Sequence, residues 1–161
     1  MMRWFILPLL WRNGIMKHKI TNYGIQKLLE NFTDERSFYL NMGYQFSDVM
    51  YMKLETVRSV LTDKVEISNK ARQRVVDEFV KGGKATKVPI DGQADIYQLN
   101  VKEEYIKDIN SRLANILNTE VLVELEDFSI EEFEEVLGKK GNWKLSIPNR
   151  KFINLLCAVN E

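Results

Sequence analysis

The chain has little of what most catalytic and metal sites are built from. Its 161 residues include one cysteine, Cys157, and one histidine, His18. A lone thiol cannot form an intrachain disulfide or a multi-cysteine zinc site. A lone histidine has no second histidine with which to share a metal or complete a nucleophile relay. We therefore predict no metal site, and we expect His18 to be structural.

Loops that bind nucleotides or calcium are also missing. No G-x-G-x-x-G occurs, and the glycine pair Gly82-Gly83 has neither the P-loop spacing nor the serine or threonine that completes it. Asp91-Gly92 followed by Asp95 is too sparse for a calcium loop. The acidic residues between Glu120 and Glu135 are expected to lie in water. The sequence predicts no cofactor and no enzyme active site.

No apolar run approaches the roughly 20 residues of a membrane-spanning helix. The apolar start of the chain is short, Pro8 interrupts it, and no small-x-small cleavage site precedes Gly14. We predict neither membrane insertion nor secretion. The 23 basic and 23 acidic residues balance, so no overall charge attracts nucleic acid. The densest basic stretch, residues 70–87, contains Asp77 and Glu78 and carries no nucleic-acid-binding motif.

What is present at the start is an apolar arm, residues 1–20. Two interpretations stay open: translation begins at Met16 and the preceding residues are an artefact, or the arm is genuine and must be covered, since a monomer rarely exposes so large an apolar patch. In the second case the arm docks on a partner or a neighbouring subunit. The contact residues predicted there are Trp4, Phe5, Leu9 and Trp11.

Hydrophobic periodicity predicts a single α+β domain over residues 21–161, mainly helical, with a small three-stranded antiparallel sheet. Its helical part covers residues 21–83 and its sheet-plus-helix part residues 84–161. Predicted helices cover residues 21–32, 34–63, 68–81, 101–117 and 130–137, and a last helix has Pro148 in its first turn. Predicted strands cover residues 84–88, 95–99 and 119–125, with a further edge strand at 143–145.

Two further stretches are candidates for contact with other proteins. The helix over residues 34–63 is rich in methionine and tyrosine, which suits a helix shared between subunits. The acids of residues 120–135 oppose in sign the basic start of the chain, and complementary charges of this kind steer association. Two solvated surfaces are the alternative interpretation. The contact residues predicted here are Tyr44, Met50, Tyr51, Glu131, Glu132 and Glu135.

The order of elements after Arg72 is itself informative. A helix rich in basic residues leads to a polar hairpin that carries Tyr97, then to a helix with an acidic start, to Asn-Thr-Glu-Val-Leu-Val-Glu-Leu at 118–125, and to Phe128-Ser129-Ile130-Glu131. Over residues 70–161 this pattern resembles small proteins of unknown function encoded among the head, neck and tail genes of tailed bacteriophages. The resemblance implies a virion component or assembly factor, located in the virion or the bacterial host cytoplasm, with no catalytic residues.

Two hypotheses follow. The first is a non-enzymatic phage structural or assembly protein that contacts other protein subunits in a homo- or hetero-oligomer. The second is a small immunity or anti-defence protein that inhibits a partner enzyme with its acidic face.

Overall fold

The structure of the protein is a computed structural model that describes residues 15–42 and 45–158. Its strands are β1 (Ile15–Thr21), β2 (Ala85–Pro89), β3 (Tyr97–Val101) and β4 (Glu120–Glu126). Its helices are α1 (Asn22–Thr33), α2 (Phe38–Met42), α3 (Asp48–Lys81), α4 (Ile106–Asn118), α5 (Ile130–Leu137) and α6 (Ile147–Leu156). Short 3₁₀ turns lie at Glu103–Tyr105 and Lys140–Asn142. The predicted α+β class is confirmed.

Contacts divide the described residues into two compact units. Unit 1 combines the residues up to Lys64 with those from Glu120 onward, and unit 2 is the continuous segment Val65–Thr119. Unit 1 is therefore assembled from two separate stretches of chain. The predicted single domain over residues 21–161 stays a prediction.

The three-stranded sheet expected from the sequence is replaced, in the described part of the chain, by two separate strand pairs. β2 pairs with β3 as predicted, but β4 pairs with β1, with His18 opposite Val123. The inward face of β4 is apolar and needs a partner with the same alternation. β1 supplies it, since Met16, His18 and Ile20 lie on its less exposed side. Residues 15–20 therefore belong to the folded unit, which corrects their assignment to an arm.

The core of unit 1 is largely aromatic. Phe38 lies 6.2 Å from Phe46, 6.1 Å from Phe133 and 6.3 Å from Phe152, measured between ring centroids. The first two pairs are edge-to-face, an arrangement in which aromatic rings attract beyond their burial. Phe128 packs on Phe133 at 5.5 Å, so α2, α5 and α6 converge on one cluster of rings.

Unit 2 has a smaller core, formed by Val75, Phe79, Ala85 and Ile109, with partly buried aliphatic residues around it. Its helix, hairpin and second helix follow one another directly along the chain. The helix ends at the predicted glycine pair, where Gly83 adopts a positive φ of 70° and the amide of Lys84 donates to the carbonyl of Phe79.

α3 is one uninterrupted helix from Asp48 to Lys81, where the sequence predicted two helices separated near Asp63. Ser68, expected to begin the second one, instead donates its hydroxyl to the carbonyl of Val65 within the helix. No proline or glycine lies between Asp48 and Lys81 to stop the helix. The break falls earlier: α2 ends at Met42 and α3 begins at Asp48.

Near the C-terminus the predicted edge strand at 143–145 does not form. The indole N–H of Trp143 donates to the carbonyl of Gly138 at 2.6 Å, and the Trp143 amide donates to the carbonyl of Lys140. These bonds close a turn rather than a ladder. α6 has Pro148 in its first turn, as predicted, and Ser146 caps it by accepting from the amide of Asn149.

Candidate interaction surface

The acidic helix α5 is fixed at its start by a capping box. The amide of Glu132 donates to the hydroxyl of Ser129 at 3.4 Å, and the carboxylate of Glu132 accepts from the amide of Ser129 at 2.9 Å. Phe133, the next residue, is fully buried in the aromatic core. The position of the helix, and of the acids around it, is therefore set by both a cap and a core side chain.

Glu132 is also held by Lys53 of α3. The ammonium of Lys53 lies 3.2 Å from each carboxylate oxygen of Glu132 and 4.2 Å from the ring centroid of Phe128. Both charged side chains are partly buried, so this pair is less screened than a surface ion pair. Sequence reasoning gave no signal for Lys53. The structure thus uses Glu132, a predicted contact residue, inside unit 1.

Glu131 and Glu135 are the acids that α5 turns to water. They stand four residues apart on one helix face, both exposed, and neither forms an ion pair within the described residues. Like charges at this spacing repel each other, and an added cation relieves the repulsion. Their neighbour Glu134 lies 3.7 Å from Lys139. Glu131 and Glu135 remain available to a partner.

The first turns of α3 carry an exposed apolar pair. Val49 and Met52 are each 68% exposed and lie three residues apart. The periodicity places Val49 on the core side of its helix, but the structure turns it outward. Val49 precedes Lys53 by four residues and so shares its face of the helix. Since Lys53 holds α5, Val49 lies on the side of α3 that meets the acidic helix, and Met52 extends the exposed apolar area around α3. We call Val49, Met52, Glu131 and Glu135 the α3–α5 surface.

A cavity of about 310 Å³ lies between the start of α3 and α5, and it brings together three predicted contact residues, Met50, Glu132 and Glu135. Met50 lies deepest: it is 3% exposed, which leaves it little surface to offer a partner. Sequence periodicity cannot distinguish this residue from the exposed methionine at position 52. Only the packing against the aromatic core decides between them.

Tyr51 lies elsewhere on α3. Its ring stacks on Tyr39 with centroids 6.1 Å apart, and Tyr39 in turn bonds to the carboxylate of Glu55. Tyr51 is about half exposed and can be reached by a partner. The other predicted contact residues lie outside the described residues: Trp4, Phe5, Leu9, Trp11 and Tyr44.

The opposite charges at the two ends of the sequence meet in part within the chain. Lys17 of β1 and Glu124 of β4 are directly opposite each other, with their charged atoms 3.7 Å apart. A second acid of this stretch, Glu132, pairs with Lys53 of α3 rather than with the start of the chain. Part of the charge complementarity between the basic start of the chain and the acids of residues 120–135 is therefore satisfied within the chain.

Nothing matches this chain in the comparisons with known proteins: no family model, no curated protein and no solved structure. The likeness to bacteriophage proteins thus stays a prediction. Among the described residues no cluster of three or more His, Cys, Asp or Glu could hold a metal ion, and no helix there has the length and apolarity needed to cross a bilayer. Burial raises the pKa of the Cys157 thiol to about 12, which keeps it protonated and unreactive at neutral pH.

Proposed function

We propose that the chain is a non-enzymatic structural or assembly protein that works through protein–protein contacts in an oligomer. The α3–α5 surface is the observation that carries this proposal, because it combines exposed apolar side chains with unpaired carboxylates. The resemblance to bacteriophage head, neck and tail proteins supplies the setting, a virion component or assembly factor. In that setting the apolar arm, with Trp4 and Trp11, adds a second contact.

Covering the α3–α5 surface is energetically favourable. Removing apolar area from water contributes about 25 cal/mol per Å², so covering Val49 and Met52 favours association. Glu131 and Glu135 add selectivity for a cationic partner and suppress wrong partners. Lys53, partly buried against Phe128, ties α5 to α3 through Glu132, and such pre-organisation lowers the entropic cost of binding.

Size-exclusion chromatography with light scattering tests this proposal on four proteins. They are the full chain, a chain that begins at Met16, the double variant Val49→Ser/Met52→Ser, and a control, Ile67→Ser/Ile106→Ser. The control residues are exposed and apolar but lie in unit 2. The full chain should be oligomeric, the Val49/Met52 variant should dissociate, and the control should match the full chain. If the full chain runs as a monomer even at high concentration, the proposed oligomer is refuted.

A second function, inhibition of a partner enzyme by an acidic face, is favoured by one observation. Glu131 and Glu135 are exposed, unpaired and held on a well-anchored helix, which suits occupation of a basic cleft. The test is a pull-down from host lysate with Glu131→Lys/Glu135→Lys and, as control, Glu103→Lys/Asp108→Lys in unit 2. A stoichiometric enzyme partner lost only in the first variant, together with a monomeric free chain, would support inhibition over assembly.

A further inference from the structure

A second cavity in unit 1, of about 610 Å³, is lined by cations. Its wall is formed by the 3₁₀ turn at Lys140–Asn142, by Trp143 and by one face of α6. The residues that α6 contributes are spaced at three and four positions, which places them in a row on the same side of the helix. These α6 residues are Ile147, Arg150, Lys151 and Asn154.

The charge of this cavity has one sign. Lys140, Arg150 and Lys151 line it, no carboxylate does so, and none of the three forms an ion pair within the part of the chain that the structure describes. The contrast with a neighbouring cavity in the same unit is informative. There Lys27 and Arg36 are accompanied by Glu30 and Asp34, so the charges balance. Three cations that converge without a counter-charge repel one another, and an anion removes that repulsion.

The same cavity also has an apolar wall. Trp143 is 8% exposed, and its indole N–H is already bonded to the carbonyl of Gly138, so the ring presents its carbon surface rather than a polar donor. Ile147 is 60% exposed and forms an apolar lip. The buried amide of Asn154 adds one polar group on the wall. Small-molecule sites commonly combine such apolar walls with a few polar groups, at volumes of roughly 300–1,000 Å³.

We propose that this cavity binds a small organic anion in which a phosphate or carboxylate is joined to a flat apolar body. Arg150 provides a planar fork of donors for the oxyanion, and Lys140 and Lys151 supply further positive charge. Trp143 and Ile147 receive the apolar body. An inorganic anion would leave this apolar wall in water, and a neutral aromatic compound would leave the cations unpaired. The proposal does not rest on the proposed function, because it uses none of the α3–α5 surface.

Isothermal titration calorimetry on the full chain tests it with four probes: naphthyl phosphate, naphthoate, inorganic phosphate and naphthol. Naphthyl phosphate or naphthoate should bind at least roughly tenfold more tightly than both inorganic phosphate and naphthol, since only these two satisfy both parts of the cavity. Which of the two binds more tightly identifies the oxyanion. Equal affinity for all four probes, or no binding of either aromatic anion at about 1 mM, would overturn the proposal.

Variants locate the site. The double variant Arg150→Gln/Lys151→Gln should bind the aromatic anions roughly tenfold or more weakly than the full chain does, since two charge-assisted contacts are lost. The control Lys102→Gln/Lys107→Gln removes the same charge from exposed positions of unit 2 and should bind as the full chain does. Ile147→Ser should lower the affinity for naphthyl phosphate but leave the affinity for inorganic phosphate unchanged. Circular dichroism should show every variant folded, because the substituted residues are exposed.

Nuclear magnetic resonance supplies a readout that a general charge effect would not move. Naphthyl phosphate should shift the indole N–H of Trp143 and the methyl groups of Ile147 in the full chain, and the Arg150/Lys151 variant should need a roughly tenfold higher concentration of the probe for the same shifts. Binding of unchanged affinity in that variant, or binding that shifts only resonances outside the cavity, would show that the probe binds elsewhere.

Discussion

The two units of this molecule were not equally visible in the sequence. Unit 2 is one continuous segment, and its helix end at Lys81, its hairpin and its second helix were predicted in the observed order, although its first helix was predicted to begin at Ser68 and is instead the end of α3. Unit 1 joins two stretches that are more than fifty residues apart. Its strand β1 was taken for part of an arm, and β4 was assigned to the wrong partner. Local patterns reveal a unit whose contacts are local, but not one whose contacts are distant.

Removing the distant stretch that contains β1 should destabilise unit 1 more than any other change proposed for this chain. A chain that begins at Met16 retains β1 from Met16, which pairs with Leu125, to Thr21, which pairs with Glu120. A chain that begins at Asn22 loses the strand and uncovers Val123 and Leu125. Hydrogen exchange should show the amides of unit 1 protected in the first chain and unprotected in the second. We expect the loss of β1 to lower the free energy of unfolding by about 3 kcal/mol or more. Equal protection in both chains would contradict the assignment of β1.

Equivalent core substitutions come next. Phe133→Ala in unit 1 and Phe79→Ala in unit 2 both remove a buried ring and should each cost about 3–5 kcal/mol. α3 contributes residues to both units, so one cooperative transition is expected, as for the predicted single domain over residues 21–161. Chemical denaturation, monitored by circular dichroism, shows the number of unfolding transitions and the stability of each variant. Two separate transitions, each lowered by only one variant, would overturn the single domain.

Two helix-ending glycines give a smaller effect that differs between the units. Gly138, after α5, has φ 80° and ψ −176°, a region open essentially to glycine alone. Gly83, after α3, has φ 70° with open space where a side chain would begin. Gly138→Ala should cost about 1–3 kcal/mol and Gly83→Ala about 1 kcal/mol. Thermal unfolding of the two variants and of the unaltered chain measures both losses of stability. A larger loss for Gly83→Ala than for Gly138→Ala would contradict this interpretation of the backbone.

The smallest expected effect concerns His18 in β1. Burial lowers its pKa, and its ring nitrogen Nε2 is buried with no hydrogen-bond partner among residues 15–42 and 45–158. The folded chain therefore binds this proton less readily than the unfolded chain. Stability should be full above the unfolded pKa of about 6.5 and should fall as the pH drops through it.

The measurement is urea denaturation of the full chain and of His18→Gln at about pH 7.5 and about pH 5.5. The variant should lose less stability between these two values, because it lacks the titrating ring. The exposed neighbours Lys17 and Lys19 are present in both proteins and cancel in the comparison. An identical loss in both would show that His18 contributes nothing to acid sensitivity.

The candidate surface was predictable only in part. Charge and periodicity singled out Glu131 and Glu135, and both are exposed and unpaired in the described structure. The same patterns also selected Glu132 and Met50, which lie in an internal ion pair and in the core. Neighbouring residues of one type are indistinguishable in a sequence. Whether a carboxylate meets a lysine or meets water depends on an element that comes from elsewhere in the chain.

The α+β class, most helices, the β2–β3 hairpin and the place of Pro148 in the first turn of α6 could be predicted from the sequence, because these depend on residues within a turn or two of each other. Only the tertiary structure decided that β1 pairs with β4, that α3 runs unbroken, and that Lys140, Arg150 and Lys151 converge beside Trp143. The reason is physical. Hydrogen bonds inside an element are local, whereas side-chain burial and the meeting of charges depend on which distant segments pack together.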